Sequence, residues 1–257
     1  MAGASILTDD SGTTEQRLFL RPGQEISGQA AHRSGRLMGA LVGSLTRYAC
    51  DSAAAHASVE RHTIGVPHLH LNALQEALQP EGDTNFSGLL VRIEGVCRSL
   101  SVPVVAKEVG WGISQRTARL LADCGVGAID VAGAGGTSWS QVEMHRAPDE
   151  FTRQLASTFA GWGIPTADSI LNVKNAAPGV KVIASGGLKD GLDIAKCLAL
   201  GATLGGMAGQ FLKAAVVAPE NAAEIIRLLR TQIQIIMFAT AAKQLGDLSA
   251  GRISKQA

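Results

Sequence analysis

From His68 onward the chain alternates short apolar runs with amphipathic stretches, and nearly every junction is marked by glycine or a polar bend. Strands are predicted near 69–72, 103–109, 128–132, 182–185 and 204–208, each a β-branched or apolar run suited to a sheet covered on its faces. Helices are predicted between them. Ala73–Leu78 follows the first strand without an assigned period, and Phe86–Leu100 reads as a helix with Leu89, Leu90, Ile93, Val96 and Cys97 on one face. Ser114–Cys124 is closed by Gly125, and Ala167–Ala176 leads into the fourth strand. Leu192, Ile194, Ala195, Leu198 and Leu200 give a further helix that stops at Gly201. After Pro219, a good first-turn residue, Glu220–Gln244 reads as one long helix ended by Gly246, with Ile225, Ile226, Leu229, Ile233, Ile236 and Met237 near one stripe. The segment around Trp139, His145, Trp162 and Gly163 has no clear period and reads as irregular.

Strand–helix alternation with short connections means an α/β fold with a parallel sheet, and functional residues belong at the strand C-termini. A TIM (β/α)8 barrel is the expected architecture, with only about the last five β/α units recognisable. Residues 68–257 form this barrel portion with its C-terminal helix. Residues 1–67 are set apart as a divergent, partly disordered segment that shows no strand ending in a glycine loop and no chemical motif. A barrel short of three strands has open edges, so the chain is also open to reading as an inactive truncated barrel.

Composition narrows the function. A net charge of +1 without a basic run, and 4% aromatic residues, give no footing for nucleic acid or an acidic membrane surface. The four cysteines are scattered with no Cys-x-x-Cys, as reduced thiols of a cytoplasmic protein would be. Neither a signal core nor an apolar run of membrane-spanning length is visible.

Four stretches carry candidate chemistry. Ser185-Gly186-Gly187 ends the fourth strand, and Leu204–Gly209 ends the fifth one helix later. In a barrel the loops after strands seven and eight, with a helix N-terminus, form the common phosphate site, where glycines let backbone N–H groups reach the anion. His70, Asn72, Gln75 and Glu76 lie just beyond the first strand. Glu76 is a candidate Mg²⁺ ligand, and equally a solvated loop carboxylate. Lys107 stands on an otherwise apolar strand, where an ammonium needs an anionic or electron-rich partner. A flavin N1–C2=O edge is one such partner, and an ion pair with Asp130 on the next strand is the other. Gly133-Ala-Gly-Gly136 with Thr137 would admit a ring or a phosphate against backbone, although it is not a dinucleotide fingerprint.

Together, His-Leu-Asn-Ala-Leu-Gln-Glu (70–76), Lys-Glu-Val-Gly (107–110), Gly-Ala-Gly-Gly-Thr-Ser-Trp (133–139) and Ala-Ser-Gly-Gly-Leu-Lys (184–189) resemble one family, the type 2 isopentenyl-diphosphate isomerases. The resemblance runs from about His68 to Arg252. It implies an FMN-dependent barrel that interconverts isopentenyl and dimethylallyl diphosphate with Mg²⁺, its flavin reduced by NADPH and acting as an acid–base group. It further implies a cytoplasmic homo-oligomer, tetramer or octamer. By motif, His70, Asn72 and Gln75 would meet substrate, and Glu76 would bind Mg²⁺. Lys107 and Thr137 would contact the flavin, and Gly186, Gly187, Leu188, Lys189, Ala208 and Gly209 would hold its phosphate. Where relatives often carry arginine this chain has Lys189, which keeps the charge and loses the bidentate fork. The family's Arg-Lys pair, Met-Thr-Gly-Gly strand end and Gly-Ser-Gln loop are not recognisable in residues 1–67. A second reading is an α-hydroxy acid oxidase of the same barrel type, but His145-Arg146 lacks the His-Gly-Gly-Arg setting of those enzymes.

Overall fold

The structure, a computed structural model, describes residues 68–249 and Gly251. The segment set apart at 1–67, with its arginines, histidines and Cys50, lies outside the described residues, as does Arg252. Five strands form one parallel sheet: β1 His68–Leu71, β2 Val105–Glu108, β3 Ala128–Asp130, β4 Lys181–Ala184 and β5 Leu204–Gly205. Their spatial order is their chain order, β1-β2-β3-β4-β5. A doubly wound sheet would reverse direction at a switch point, whereas consecutive neighbours throughout are what a (β/α)8 barrel requires. The chain thus holds five consecutive units of a barrel wall.

Helices α1 Ala73–Leu78 and α2 Leu89–Ser99 connect β1 to β2, and α3 Gln115–Asp123 connects β2 to β3. Three helices cross from β3 to β4: α4 Trp139–Arg146, α5 Glu150–Thr158 and α6 Thr166–Ala176. Then α7 Gly191–Ala199 precedes β5, and α8 Gly209–Val217 and α9 Pro219–Ala239 follow it. No helix of the described residues is long and apolar enough to cross a membrane.

Strand register sorts the side chains into two faces, because alternate residues of a strand point to opposite sides. Leu69, Ala106, Ile129 and Val182 are paired across four strands, are almost completely buried, and pack against Ile93 and Val96 of α2, Leu121 of α3, Ile170 and Val173 of α6 and Cys197 of α7. The next row, His70, Lys107, Asp130 and Ile183, therefore faces the interior of the barrel wall. Cys97, Cys124 and Cys197 are free thiols, and burial pushes those of Cys97 and Cys197 up to about 11.

Several expected boundaries move. The segment read as irregular holds α4 and α5, whose period was hidden because the buried residues of α4 are polar, Ser140 and Glu143. Ser140 is fixed there by donating to the Phe159 carbonyl at 2.9 Å. Helix α2 starts at Leu89 rather than Phe86, because Gly88 takes a left-handed conformation ahead of it. The fifth strand is two residues long, and α8 opens directly from its glycine-rich exit.

The long helix ends at Ala239, short of the expected Gln244. Ala241 adopts φ +54°, the Ala242 N–H donates to the Met237 carbonyl at 2.8 Å, and the Ala241 N–H donates to Phe238 at 3.1 Å. This is a Schellman stop built on alanine instead of glycine, so composition gave no sign of it. Left-handed φ costs alanine about 1 kcal/mol. Ala241→Gly is expected to stabilise the chain by about 1 kcal/mol, read as a raised urea midpoint with unchanged slope.

Candidate active site at the strand C-termini

Along the interior face, one polar row crosses the sheet. Lys107 Nζ lies 2.7 Å from Asp130 Oδ2, and Asp130 is 2% exposed. Asp130 Oδ1 accepts from the Ser185 hydroxyl at 2.6 Å and from the Ala132 N–H at 3.3 Å. Of the two partners open to Lys107, the ion pair with Asp130 is therefore the one present within the chain. His70 is the β1 neighbour of Lys107 in register. Burial, reinforced by the Lys107 ammonium, pushes the His70 imidazole down to about 4, so it is neutral at physiological pH. Its Nε2 is buried and makes no hydrogen bond.

The neighbouring Glu108 points to the other face and shapes the loop above β2. Its Oε2 accepts from the N–H groups of Val109, Gly110 and Trp111 at 2.6, 2.8 and 2.7 Å. Burial pushes its carboxyl upward, against the pull of those three donors and of Lys107. Farther along the loop, Ile113 exchanges hydrogen bonds with Ser169 of α6, its N–H donating at 2.6 Å and its carbonyl accepting at 3.1 Å. The loop is thereby rigid, and it buries Trp111 with its indole N–H unpartnered. No sequence pattern singled out Trp111; a lone tryptophan after a strand glycine looks like core.

Beyond β1, the four expected polar residues do not act as one cluster. Asn72 Nδ2 donates to Glu76 Oε1 at 2.7 Å, and Glu76 Oε2 accepts from the Asp83 N–H at 2.8 Å. Asn72 Oδ1 is buried and makes no hydrogen bond. Gln75 instead turns to α4, where its Nε2 donates to Glu143 Oε1 at 3.1 Å; Gln79 donates to the same oxygen at 2.8 Å. Glu143 is 7% exposed and lay in the segment without period, so its sequence position gave no warning of this role. The described residues contain no group of three His, Cys, Asp or Glu side chains placed to hold a metal. A divalent cation at Glu76 would take that carboxylate, with Asn72 Oδ1 as the adjacent hard oxygen, and fill its remaining positions with anion and water.

The two glycine stretches, read separately along the chain, form one junction. The ladder between β3 and β4 continues past the strands, Val131 N–H to Ile183 at 3.0 Å and Gly133 N–H to Ser185 at 2.9 Å. There the loop backbones meet. A Cβ on Gly186 would stand 2.1 Å from the Gly133 carbonyl oxygen, and one on Gly187 2.3 Å from that of Gly135. Both glycines also have positive φ, 103° and 84°. Glycine is thus required at 186 and 187 by the neighbouring loop, before any ligand is considered.

Around this junction the rest of the expected phosphate site is open. Thr137, Lys189, Ala208 and Gly209 are exposed, while Leu188 is partly buried against the core and presents only its backbone. Gln210 Nε2 donates to the Lys189 carbonyl, bridging the two loops. Helix α7 caps itself, Asp190 accepting from the Asp193 N–H at 2.9 Å and Asp193 from the Lys189 N–H at 3.1 Å. Helix α8 has no side-chain cap and no acid in its first turn, and a Cβ on Gly209 would meet nothing within 4 Å. Of the two helix starts beside the junction, α8 is the one with N–H groups left for an anion. The exposed loop backbone and the uncapped start of α8 are chemically compatible with a ring-and-phosphate cofactor.

A (β/α)8-type barrel wall with a lysine-bearing interior row and a glycine junction after β3 and β4 is the class this fold and site define. The family model described as FMN-dependent dehydrogenase matches residues 49–255, and the chain belongs to that family. Isopentenyl-diphosphate delta-isomerase of Rickettsia bellii is 49% identical over 185 residues, covering 72% of this chain and 54% of the relative. The protein of the same name from Rickettsia akari is 48% identical over the same span. The chain spans about half the length of the curated relatives it matches. Among solved structures, an (S)-mandelate dehydrogenase chimera aligns with TM-score 0.59 at 14% identity, covering 84% of this chain and 64% of its own. A mandelate oxidase aligns with TM-score 0.53 at 19% identity, covering 77% and 57%. At such identities these two show the fold alone.

The depressed imidazole of His70 makes stability depend on acid. An unfolded chain binds a proton at His70 near pH 6.5, and the folded chain only near pH 4, so stability is complete above pH 6.5 and falls as pH drops through that window. The loss attributable to His70 is expected to reach at most about 3 kcal/mol. Urea unfolding of the wild type and His70→Gln at pH 7 and pH 4.5 measures it, and a flatter pH dependence in the variant is the expected outcome.

Proposed function

We propose that this chain carries the flavin- and substrate-facing part of an isopentenyl-diphosphate isomerase of type 2, interconverting isopentenyl and dimethylallyl diphosphate with FMN, Mg²⁺ and NADPH. The observation that carries this reading is the pair of buried, unpartnered atoms His70 Nε2 and Asn72 Oδ1, beside Lys107 and at the strand end where a barrel places its chemistry. Native interiors rarely leave such atoms without partners unless a ligand supplies them. The high identity to the rickettsial isomerases supports the same choice.

In this reading Lys107 and Thr137 would contact the flavin, the backbone of Gly186, Gly187, Leu188 and Lys189 with Ala208 and Gly209 would hold its phosphate, and NADPH would be the reductant. Bound reduced FMN supplies the acid–base group for moving the double bond. The chain's own residues bind and orient. Neutral His70 would offer a hydrogen bond without charge, Asn72 would line the substrate pocket beside Glu76, Gln75 would contact substrate, and Glu143 fixes the Gln75 amide. Glu76 would hold Mg²⁺, which would neutralise diphosphate charge. The buried Trp111 indole N–H, on the loop after β2, is a further donor without a partner among the described residues. The oxidase alternative has no comparable support, since His145 lies exposed on α4 rather than at a strand end. A cytoplasmic location is in keeping with the scattered cysteines, the three described ones being free thiols. Assembly into a homo-oligomer would rest on the apolar outer residues of α9, Leu228, Ile235 and Phe238.

The reading is tested by adding FMN to the purified chain, desalting, and recording the flavin spectrum, followed by isomerisation assays with NADPH and Mg²⁺. Retained flavin and turnover are expected; a chain that keeps no flavin sinks the reading. Glu76→Ala should lose Mg²⁺-dependent turnover while keeping flavin. Gly209→Asp places a carboxylate where the phosphate would sit without a steric clash, so flavin affinity should fall more than tenfold while the thermal melt is unchanged. Unchanged affinity in that variant would remove the phosphate from α8.

A further inference from the structure

We propose that Asp130 is a positioning residue of the cofactor site, acting through Lys107; the assignment rests on the flavin reading above. Asp130 is nearly inaccessible, and a carboxylate held there alone would be costly. Both of its oxygens are committed. Oδ2 holds the Lys107 ammonium at 2.7 Å, while Oδ1 is held by the Ser185 hydroxyl at 2.6 Å and the Ala132 N–H at 3.3 Å. The carboxylate is thus fixed from the β4 side, and it fixes the lysine on the β2 side.

A pair serving the fold alone has no need of this placement. Buried ion pairs are commonly replaceable by apolar residues of similar volume, and the helix-facing row of Leu69, Ala106, Ile129 and Val182 is wholly apolar. The pair stands instead on the interior row, next to His70 with its unpartnered Nε2. Lys107 makes one hydrogen bond, to Asp130, and two of its three N–H donors are left for a group above the row. Ser185 also begins the loop of Gly186 and Gly187, so the lysine and the phosphate cradle hang on one connected chain of contacts, Lys107–Asp130–Ser185. Without Asp130 the ammonium has no anchor in the row, and a long flexible side chain takes its charge out to water. A ring that becomes anionic on reduction then loses its cation, whereas the neutral oxidised ring loses little.

The experiment measures FMN affinity in both redox states, with oxidised FMN in air and dithionite-reduced FMN under anaerobic conditions. It compares wild type, Asp130→Asn, Lys107→Met and the double variant. The expected result is that Asp130→Asn weakens reduced FMN at least tenfold more than oxidised FMN, by about as much as Lys107→Met does. The double variant should be no worse than either, because both act through one ammonium. If Lys107→Met changes the ratio of the two affinities and Asp130→Asn does not, the positioning role is overturned and the pair is structural. If neither changes it, Lys107 does not face the flavin and the assignment falls. Should Asp130→Asn fail to fold, Lys107→Met with Asp130→Leu supplies an apolar pair; the expected result is a folded chain that binds oxidised FMN and has lost its preference for the reduced form. A retained preference would overturn the proposal. A wild-type chain that binds neither form refutes the flavin reading itself, an outcome distinct from all of these.

Discussion

Much of this site depends on a contact between two backbones. The loop after β3 lies directly against the loop after β4, close enough that Gly186 and Gly187 have no room for a side chain. This approach continues the β3–β4 ladder to Gly133 and Ser185, and Thr166 at the start of α6 secures it by donating to the Gly186 carbonyl at 2.6 Å. Ser185 is thereby brought to Asp130, and Asp130 to Lys107. A steric constraint between glycines thus fixes the position of a charge two strands away.

The electrostatics of the interior row follow from that position. The Lys107–Asp130 pair is buried and close to neutral as a unit, yet it leaves ammonium donors unspent. Its nearest in-register neighbour, His70, stays uncharged because burial and the ammonium act in the same direction. The row therefore offers hydrogen bonds, with only one cation among them. Such a surface is suited to a polar ring, while the uncapped start of α8 and the exposed Lys189 lie apart from it, on the loops after β5 and β4.

The parts legible in the sequence were those in which chemistry and local pattern coincide. β2, β3 and β4 fell on apolar, partly β-branched runs that lead into glycine loops, β1 and β5 beside their polar and glycine-rich exits, and α3, α6 and α7 where apolar periodicity was clean. Trp139–Thr158 hid two helices because α4 buries Ser140 and Glu143, leaving no apolar stripe to read. The stop at Ala241 was invisible because alanine does the work of glycine there. Glu143 and Trp111 were missed for a related reason: neither sits in a motif, and each matters only through what packs beside it.

The sequence by itself determined the parallel alternation, the placing of polar residues at strand ends, and the choice of glycine at 133, 135, 136, 186 and 187. These follow from local rules of period, turn chemistry and backbone freedom. Only the tertiary structure decided what each of those residues touches. It joined the two glycine stretches into one junction, gave Lys107 to Asp130, turned Gln75 toward Glu143 and away from Glu76, and left His70 Nε2 and Asn72 Oδ1 without partners. The physical reason is that partnership across a parallel sheet depends on register and loop approach, and both are set by packing between segments far apart in the chain.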